Sequence, residues 1–140
     1  MKQPNVLLFI TDGHRADALG CCGNRLAETP NLDALAADGV RFSRSFCPHS
    51  VCMPTRASIY TGQYPRCHGV WANGVPLPKA AVTLPAVLAG HGYATGAAGK
   101  LHFEPQQPYP GHVAPAISGP TDSMNRMLAM TIIHATSGMS

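Results

Sequence analysis

Residues 6–13 read VLLFITDG, a run of five apolar residues that stops at a short polar turn. A run of this length, rich in branched and bulky side chains, is typical of a strand buried on both faces in a parallel sheet. Asp12 stands at its carboxyl end, where open α/β sheets place their functional side chains. The stretch therefore predicts a buried first strand that delivers an acidic residue to a functional edge.

Helix and strand patterns alternate after this strand. Residues 29–39, 54–62 and 83–92 each carry a proline close to the start and a glycine close to the end, as helices do, and Thr29 is the predicted N-cap of the first. Residues 40–46 alternate apolar and polar side chains, which predicts a strand with one covered face. Residues 93–98 predict a further buried strand. The alternation predicts an α/β fold with a partial, mainly parallel sheet flanked by helices.

The character of the chain changes after residue 105. Residues 106–140 contain several prolines and then a methionine-rich stretch, without a recognisable motif. Residues 124–135 fit either an amphipathic helix or an unstructured tail. We therefore divide the chain into a domain over residues 1–105 and an unassigned, divergent or poorly ordered tail over residues 106–140.

The composition favours a globular chain and gives no sign of nucleic acid or membrane binding. Apolar residues make up 45% and charged residues 12%, and the cations behind the net charge of +3 are scattered. The first apolar run is too short for a signal-peptide core or a membrane span. The five cysteines include the adjacent pair Cys21 and Cys22 and make a poor disulfide framework. We expect a cytoplasmic protein with mostly free thiols.

Cys52 lies at or just before the start of the second predicted helix. Free backbone N–H groups and the helix dipole favour an anion such as sulfate at that position. Arg56 follows one turn later and can direct its permanent charge towards residue 52. Considered alone, these two residues fit a capped helix with a buried cysteine and a surface arginine equally well.

Asp12, Lys100 and His102 are the other candidates for chemistry. Asp12 is a natural ligand for a divalent cation, although an Asp-Gly pair is also a common turn. Lys100 and His102 are two residues apart, so on an extended segment they point the same way. In a loop without further context, they would be two solvated polar residues.

Residues 52–56, Cys-Met-Pro-Thr-Arg, match the pattern C-x-P-x-R, and the chain resembles the type I sulfatases in this signature. Residues 4–12 resemble the opening strand of that family, residues 29–33 its first helix, residues 56–62 the helix after the signature and residues 99–103 its Gly-Lys-x-His element. All four occur in the family's order. The resemblance implies the N-terminal part of a sulfatase, with the family's alkaline-phosphatase-like α/β fold, acting on a small-molecule sulfate ester.

The resemblance also implies a mechanism. Cys52 is oxidised to formylglycine by a formylglycine-generating or anaerobic sulfatase-maturating enzyme, and the aldehyde is hydrated. One hydroxyl attacks sulfur, and the other later expels sulfate. Asp12 and the modified Cys52 bind a divalent metal, Ca²⁺ in first place, with Mg²⁺ or Mn²⁺ as alternatives. Arg56 belongs to the catalytic group, and Lys100 and His102 contact the sulfate oxygens and serve leaving-group or diol chemistry.

This chain departs from the family in two respects. The family usually places a second oxygen ligand directly after the aspartate, where this chain has Gly13. Family members are several times longer and take further ligands from later segments, so we expect a truncated chain with little or no activity alone. A phosphonate monoester or phosphodiester hydrolase and a non-catalytic remnant remain as alternative interpretations.

Other polar residues receive weaker assignments. His14 and Arg15 follow Asp12 closely and are expected to line the same opening, whereas Asp17 is expected to pair with an arginine. Structural zinc and thiol catalysis by an unmodified Cys52 are both disfavoured. The first lacks paired ligand spacings, and the second leaves the rest of the signature unexplained. The zinc hypothesis concerns Cys47, Cys67, His49 and His68. In the thiol hypothesis, either His49 or His68 would be the base for Cys52.

Overall fold

The computed structural model describes residues 3–104 and, as backbone, the strand at residues 128–135. It contains strands β1 (Val6–Thr11), β2 (Tyr93–Gly99) and β3 (Leu128–Ala135), helices α1 (Pro30–Asp38), α2 (Cys52–Thr61), α3 (Pro65–His68) and α4 (Leu84–Ala89), and a 3-10 turn at Gly20–Cys22. The chain divides into two compact units. The smaller unit comprises Gly13–Phe46, and the larger comprises Met1–Asp12 and Cys47–Ser140.

The larger unit contains a three-stranded sheet in the order β1-β3-β2. Both pairings are antiparallel, with Val6 opposite Ile133 and Tyr93 opposite Ala135. Because β1 and β2 are each antiparallel to β3, they run in the same direction without being neighbours. The predicted mainly parallel sheet is therefore wrong for these pairings, since β3 separates the two strands that were expected to lie parallel.

Strand β3 is also a correction to the predicted tail. Residues 124–135 were expected as a helix or an unstructured tail, but Leu128–Ala135 is a strand. Its sequence includes the β-branched residues Thr131, Ile132 and Ile133, which suit a pleated strand better than a helix. The tail prediction for residues 106–127 and 136–140 lies outside the described residues.

The strands β1 and β2 occur where the sequence predicts them, but they are not buried on both faces. Leu7 and Phe9 of β1 are 63% and 50% exposed, and six of the seven residues of β2 are exposed. The prediction of fully buried strands is therefore wrong for this structure. The physical reason is that the described residues cover little of β2 on either face and leave alternate side chains of β1 open to solvent.

The core of the larger unit is built on α2. Met53, Ala57 and Val70 form its buried cluster, and Tyr60 packs edge-on against Phe103 with ring centroids 4.8 Å apart. Helix α2 ends at Gly62, whose φ of 68° is a left-handed conformation that glycine adopts without strain. The predicted helix at residues 54–62 is confirmed, with its start at Cys52. No helix among the described residues has the length and apolarity needed to cross a membrane.

The smaller unit is organised around the carboxylate of Asp33. Its Oδ1 accepts hydrogen bonds from the Cys21 amide at 2.7 Å and the Thr29 hydroxyl at 3.0 Å. The Thr29 Oγ1 also accepts the Gly20 amide at 2.8 Å, so Thr29 occupies the N-cap position of α1 without capping it through its side chain. A Cβ on Gly20 would collide with Asp33, and this close approach requires glycine.

The predicted strand at residues 40–46 is wrong, because these residues adopt irregular structure. Val40, Phe42 and Phe46 are each about four-fifths exposed. An alternating pattern forms a strand only when a neighbouring strand and a covering surface are available. Within the described part of the smaller unit, these side chains meet neither.

Candidate active site

Asp12 directly follows β1, Cys52 is the first residue of α2, and Lys100 directly follows β2. Strands that run in the same direction place their carboxyl ends at one edge of the sheet, and this brings Asp12 and Lys100 together. The Lys100 Nζ lies 2.6 Å from Asp12 Oδ2 and 3.7 Å from Cys52 Sγ. Cys52 Sγ lies 3.6 Å from Asp12 Oδ1. A carboxylate, an ammonium group and a thiol therefore meet at one point.

The ion pair between Lys100 and Asp12 sets the charge state of this cluster. The hydrogen bond from Lys100 lowers the pKa of Asp12 below its ordinary value, which outweighs the opposing effect of partial burial. The two side chains are 14% and 25% exposed, so solvent screens their attraction less than it would on an open surface. Asp12 is therefore a carboxylate at neutral pH.

Arg56 contributes to the site from a buried position. It is 3% exposed, and its Nη1 donates a 2.7 Å hydrogen bond to the Lys100 carbonyl. The interpretation of Arg56 as a surface arginine is therefore wrong. The contact ties α2 to the end of β2, and the guanidinium also helps to lower the pKa of Asp12.

His102 lies two residues beyond Lys100 in a left-handed conformation, with φ of 57°. The prediction that Lys100 and His102 point the same way assumed an extended segment, and it is therefore wrong. Burial, followed by the positive charges of Lys100 and Arg56, lowers the pKa of His102. Its buried Nδ1 has no hydrogen-bond partner among the described residues. A neutral imidazole with a free ring nitrogen is suited to accepting a proton, and strained backbone at such a residue is common in active sites.

The start of α2 is fixed by side chains that sequence reasoning missed. Asn73 Oδ1 accepts the Met53 amide at 3.0 Å, and the Thr55 hydroxyl donates to the His49 carbonyl at 2.6 Å. The Met53 N–H is already bonded, and Pro54 has no N–H. The start of α2 therefore has fewer free amide groups for binding an anion than predicted. Asn73 precedes a glycine and reads as a turn residue in the sequence, so no local signal revealed its contact with α2.

His68 is a structural residue. The Val70 amide donates to its Nδ1 at 3.1 Å, which assigns the ring proton to Nε2, and Nε2 lies 2.9 Å from the Ser58 hydroxyl. Burial lowers the pKa of His68. With both ring nitrogens engaged between α2 and α3, His68 is not available as a base for Cys52.

His49 is also occupied away from the sulfur, since its Nδ1 accepts the Val51 amide at 3.2 Å. Among the described residues, the Cys52 sulfur is hydrogen-bonded to Asp12 and Lys100, and neither His49 nor His68 is placed there as the base of an activated thiol. Neither His49 nor His68 joins Cys47 and Cys67 in a cluster of three or more metal-binding side chains within the described chain.

In the smaller unit, Arg15 and Asp17 form an exposed ion pair with a separation of 2.6 Å between Nη2 and Oδ2. The expected pairing of Asp17 with an arginine is confirmed. The role of His14 and Arg15 in lining the active-site opening stays a prediction.

The described residues fit only part of a divalent-cation site. Asp12 offers one carboxylate, and the thiol of Cys52 stands where the oxygens of a formylglycine hydrate would be. Calcium takes about six to eight oxygen ligands, and no group of three or more candidate ligands occurs among the described residues. Oδ2 of Asp12 already faces Lys100, which leaves Oδ1 for a cation. These donors alone do not make a complete site.

The geometry defines an α/β segment in which the start of a buried helix carries a cysteine beside a paired carboxylate and ammonium group. The sulfatase family model matches residues 4–126, and the chain belongs to the sulfatase family. Members of this family are hydrolases that act on sulfate esters. The family carries an α/β fold of the alkaline-phosphatase type.

Several curated proteins resemble this chain. Arylsulfatase A of Homo sapiens is 43% identical over 110 residues, which cover 73% of this chain and 21% of that protein. Steryl-sulfatase of Mus musculus is 38% identical over 113 residues, covering 73% and 18%. N-acetylglucosamine-6-O-sulfatase of Bacteroides thetaiotaomicron is 36% identical over 107 residues, covering 75% and 19%. The chain thus spans about a fifth of the length of these relatives. No solved structure matches it significantly.

Replacing Asn73 by alanine is expected to loosen the start of α2. The Met53 amide loses its acceptor, which should lower the free energy of unfolding by about 0.5–1.5 kcal/mol. Urea unfolding measures this change, and amide hydrogen exchange of Met53 locates it. Asn73→Asp keeps an oxygen in place and adds a favourable charge at the helix start, so it should retain protection. Unchanged exchange of Met53 in Asn73→Ala would contradict the assigned contact.

His68 predicts a pH dependence of stability. Burial lowers its folded pKa below the usual value of 6.5, so the unfolded state binds more protons between these two values. The contribution of His68 to folding stability is complete at pH values above the pKa of the unfolded state. It is lost as pH falls towards the lower pKa of the folded state. Urea unfolding from about pH 7.5 to about pH 5 should show a shallower pH slope in His68→Gln than in the wild type. An equal slope would refute this, and exposed His91→Gln is the matched control.

Proposed function

We propose that this chain carries the nucleophile of a formylglycine-dependent sulfuric ester hydrolase, with Cys52 as the residue that is converted. The observation that carries the proposal is the meeting of Asp12, Lys100 and Cys52 within 3.7 Å at the start of α2. Residue 52 also begins the C-x-P-x-R pattern of the family. A maturating enzyme that reads this pattern is the partner that the proposal requires.

The charges around residue 52 suit a sulfate monoester. Lys100 and Arg56 carry two positive charges against the one negative charge of Asp12, which leaves a net positive site for a singly charged ester. Lys100 has three N–H donors and directs one to Asp12 and one to the Cys52 sulfur, so a third donor can bind a sulfate oxygen. The same donor opposes the charge that develops on the oxygens during transfer.

The proposed hydrolysis has two half-reactions, both of which take place at residue 52. A hydroxyl of the hydrated aldehyde forms a bond to sulfur and gives up its proton, while the bond between sulfur and the ester oxygen breaks. The ester oxygen takes up one proton and leaves as the alcohol, so protons balance. In the second half-reaction, the remaining hydroxyl gives up its proton while the bond from carbon to the sulfate oxygen breaks, which regenerates the aldehyde. Neutral His102, with its free Nδ1, is the base that we assign to this second proton.

We assign Asp12 and residue 52 as two ligands of a divalent cation, Ca²⁺ before Mg²⁺ or Mn²⁺, which would supply further positive charge for the sulfate oxygens. The other ligands must come from outside the described residues. A phosphonate or phosphodiester would present similar oxygens to the same groups. The names of the relatives favour sulfate esters, and no contact in the structure favours phosphorus.

Coexpression with a formylglycine-generating enzyme is expected to convert Cys52 to the aldehyde. Mass spectrometry of the peptide that contains Cys52 should show loss of the thiol and reaction with a hydrazide, whereas Cys47 and Cys67 stay thiols. Pro54→Ala and Arg56→Ala should abolish conversion because the signature is broken. A Cys52 thiol that survives in the wild-type chain would overturn the formylglycine proposal.

The hydrolase assignment is tested separately with an aryl sulfate and the matured chain. We expect slow turnover at best, because the chain spans about a fifth of its relatives. Any turnover must disappear in Cys52→Ala. Activity that persists in that variant would refute residue 52 as the nucleophile.

Replacing Gly13 by aspartate is expected to strengthen Ca²⁺ binding. A second carboxylate beside Asp12 raises the ligand charge, which should lower the apparent dissociation constant by about tenfold. The φ of Gly13 is +60°, which aspartate tolerates better than most residues, and a Cβ there meets no atom within 4 Å. Calorimetric titration of Ca²⁺ measures the effect. Gly13→Ala places a side chain at the same left-handed position without the carboxylate, and equal gains in both variants would contradict the prediction.

A further inference from the structure

Two adjacent thiols occupy the 3-10 turn of the smaller unit, and the proposed sulfatase chemistry uses neither. Cys21 is half-buried and Cys22 is exposed, and both are free thiols. The two residues are consecutive in the turn, and both line the same cleft. Burial raises the pKa of Cys21. The side chains therefore form a reduced vicinal dithiol.

The backbone that presents these thiols is fixed on both sides. The Cys21 amide donates to Asp33 Oδ1 at 2.7 Å, and the Cys22 amide donates to the Leu19 carbonyl at 3.0 Å. The turn closes with a bond from the Gly23 amide to the Gly20 carbonyl at 2.8 Å. A dithiol held in this way loses little conformational freedom when both sulfurs bind one atom.

Cys21 and Cys22 both line a cleft of about 500 Å³ within the smaller unit. Arg41 lines this cleft, and its Nη1 lies 3.9 Å from Cys22 Sγ. Ser43 and Ser45 add hydroxyl groups to the lining. Polar residues therefore line the same cleft as the two cysteines, and Arg41 reaches the Cys22 sulfur.

We propose that Cys21 and Cys22 form a binding site for trivalent arsenic, held through two sulfur atoms with its remaining hydroxyl facing Arg41, Ser43 and Ser45. The reaction with arsenous acid forms two As–S bonds and breaks two As–O bonds. The two thiol protons leave with the two hydroxyl groups as two molecules of water. No atom changes its oxidation state, so the step needs neither an oxidant nor a reductant.

The donor set favours arsenic over common thiophilic cations. A structural zinc ion requires about four protein ligands, and the described residues contain no group of three or more metal-binding side chains. Trivalent arsenic bound by two sulfurs keeps a hydroxyl as its third substituent and is electrically neutral. The Arg41 guanidinium repels a free cation but can donate a hydrogen bond to that hydroxyl.

The test is titration of the full 140-residue chain, reduced with a phosphine, with sodium arsenite. Native mass spectrometry should show one arsenic per chain, and calorimetry should give its affinity. Cys22→Ser removes one sulfur and should weaken binding by about 100-fold, because the second bond no longer forms within the same molecule. Cys21→Ser should have the same effect. The double variant Cys47→Ser/Cys67→Ser is the control and should bind as the wild type does.

The outcomes separate the alternatives. Circular dichroism and the protection of the α1 amides establish that each cysteine variant keeps its fold, and a variant that loses α1 is replaced by the corresponding alanine variant. Wild-type affinity in Cys22→Ser would overturn the proposal, as would loss of binding in the Cys47→Ser/Cys67→Ser control. Zn²⁺ or Cd²⁺ binding at the pair as tightly as arsenite would overturn the assignment to arsenic.

Discussion

The ion pair between Lys100 and Asp12 is the interaction on which the proposed site depends. Each charged group is partly removed from water, so leaving either one unpaired there would carry a desolvation cost. The pair joins the ends of β1 and β2, which are 88 residues apart at this contact. Arg56 reinforces the join by bonding the Lys100 carbonyl, so helix α2 is tied to the same point. The position of residue 52 follows from this connection.

The pair also limits what else Asp12 can bind. Its Oδ2 is occupied by the ammonium group, whereas Oδ1 faces the Cys52 sulfur. A cation in the proposed site therefore competes with Lys100 for one oxygen and is free to use the other. An ester that draws Lys100 towards its sulfate oxygens would release Oδ2.

The sequence predicted the local elements and missed those that depend on distant partners. β1, α1, α2 and β2 occur where their patterns place them, because caps, glycine stops and short apolar runs act over a few residues. β3 was missed because its place between β1 and β2 is a long-range property. Residues 40–46 show the opposite error. Their alternating pattern predicted a strand, but the described smaller unit contains no neighbouring strand with which they could pair.

The same distinction applies to the candidate site. The family signature brought Asp12, Cys52 and Lys100 into one hypothesis before any distance was known. It did not reveal that Arg56 bonds a backbone carbonyl or that Asn73 holds the Met53 amide. Both contacts join residues many positions apart, and neither side chain has a local pattern that specifies its partner. Such supporting contacts require coordinates.

Burial is uneven across the larger unit, and this bears on where its chemistry is placed. Among the described residues of this unit, three of the four buried hydrophobic side chains lie on α2, namely Met53, Ala57 and Tyr60, whereas β1 and β2 leave much of their surface exposed. Local opening is rarest where apolar contacts are densest. Cys52 begins this helix, so the reacting side chain is attached to the best-packed element. Asp12 and Lys100 sit at the ends of less buried strands. Their ion pair holds them together, and the Arg56 hydrogen bond to the Lys100 carbonyl ties them to that helix.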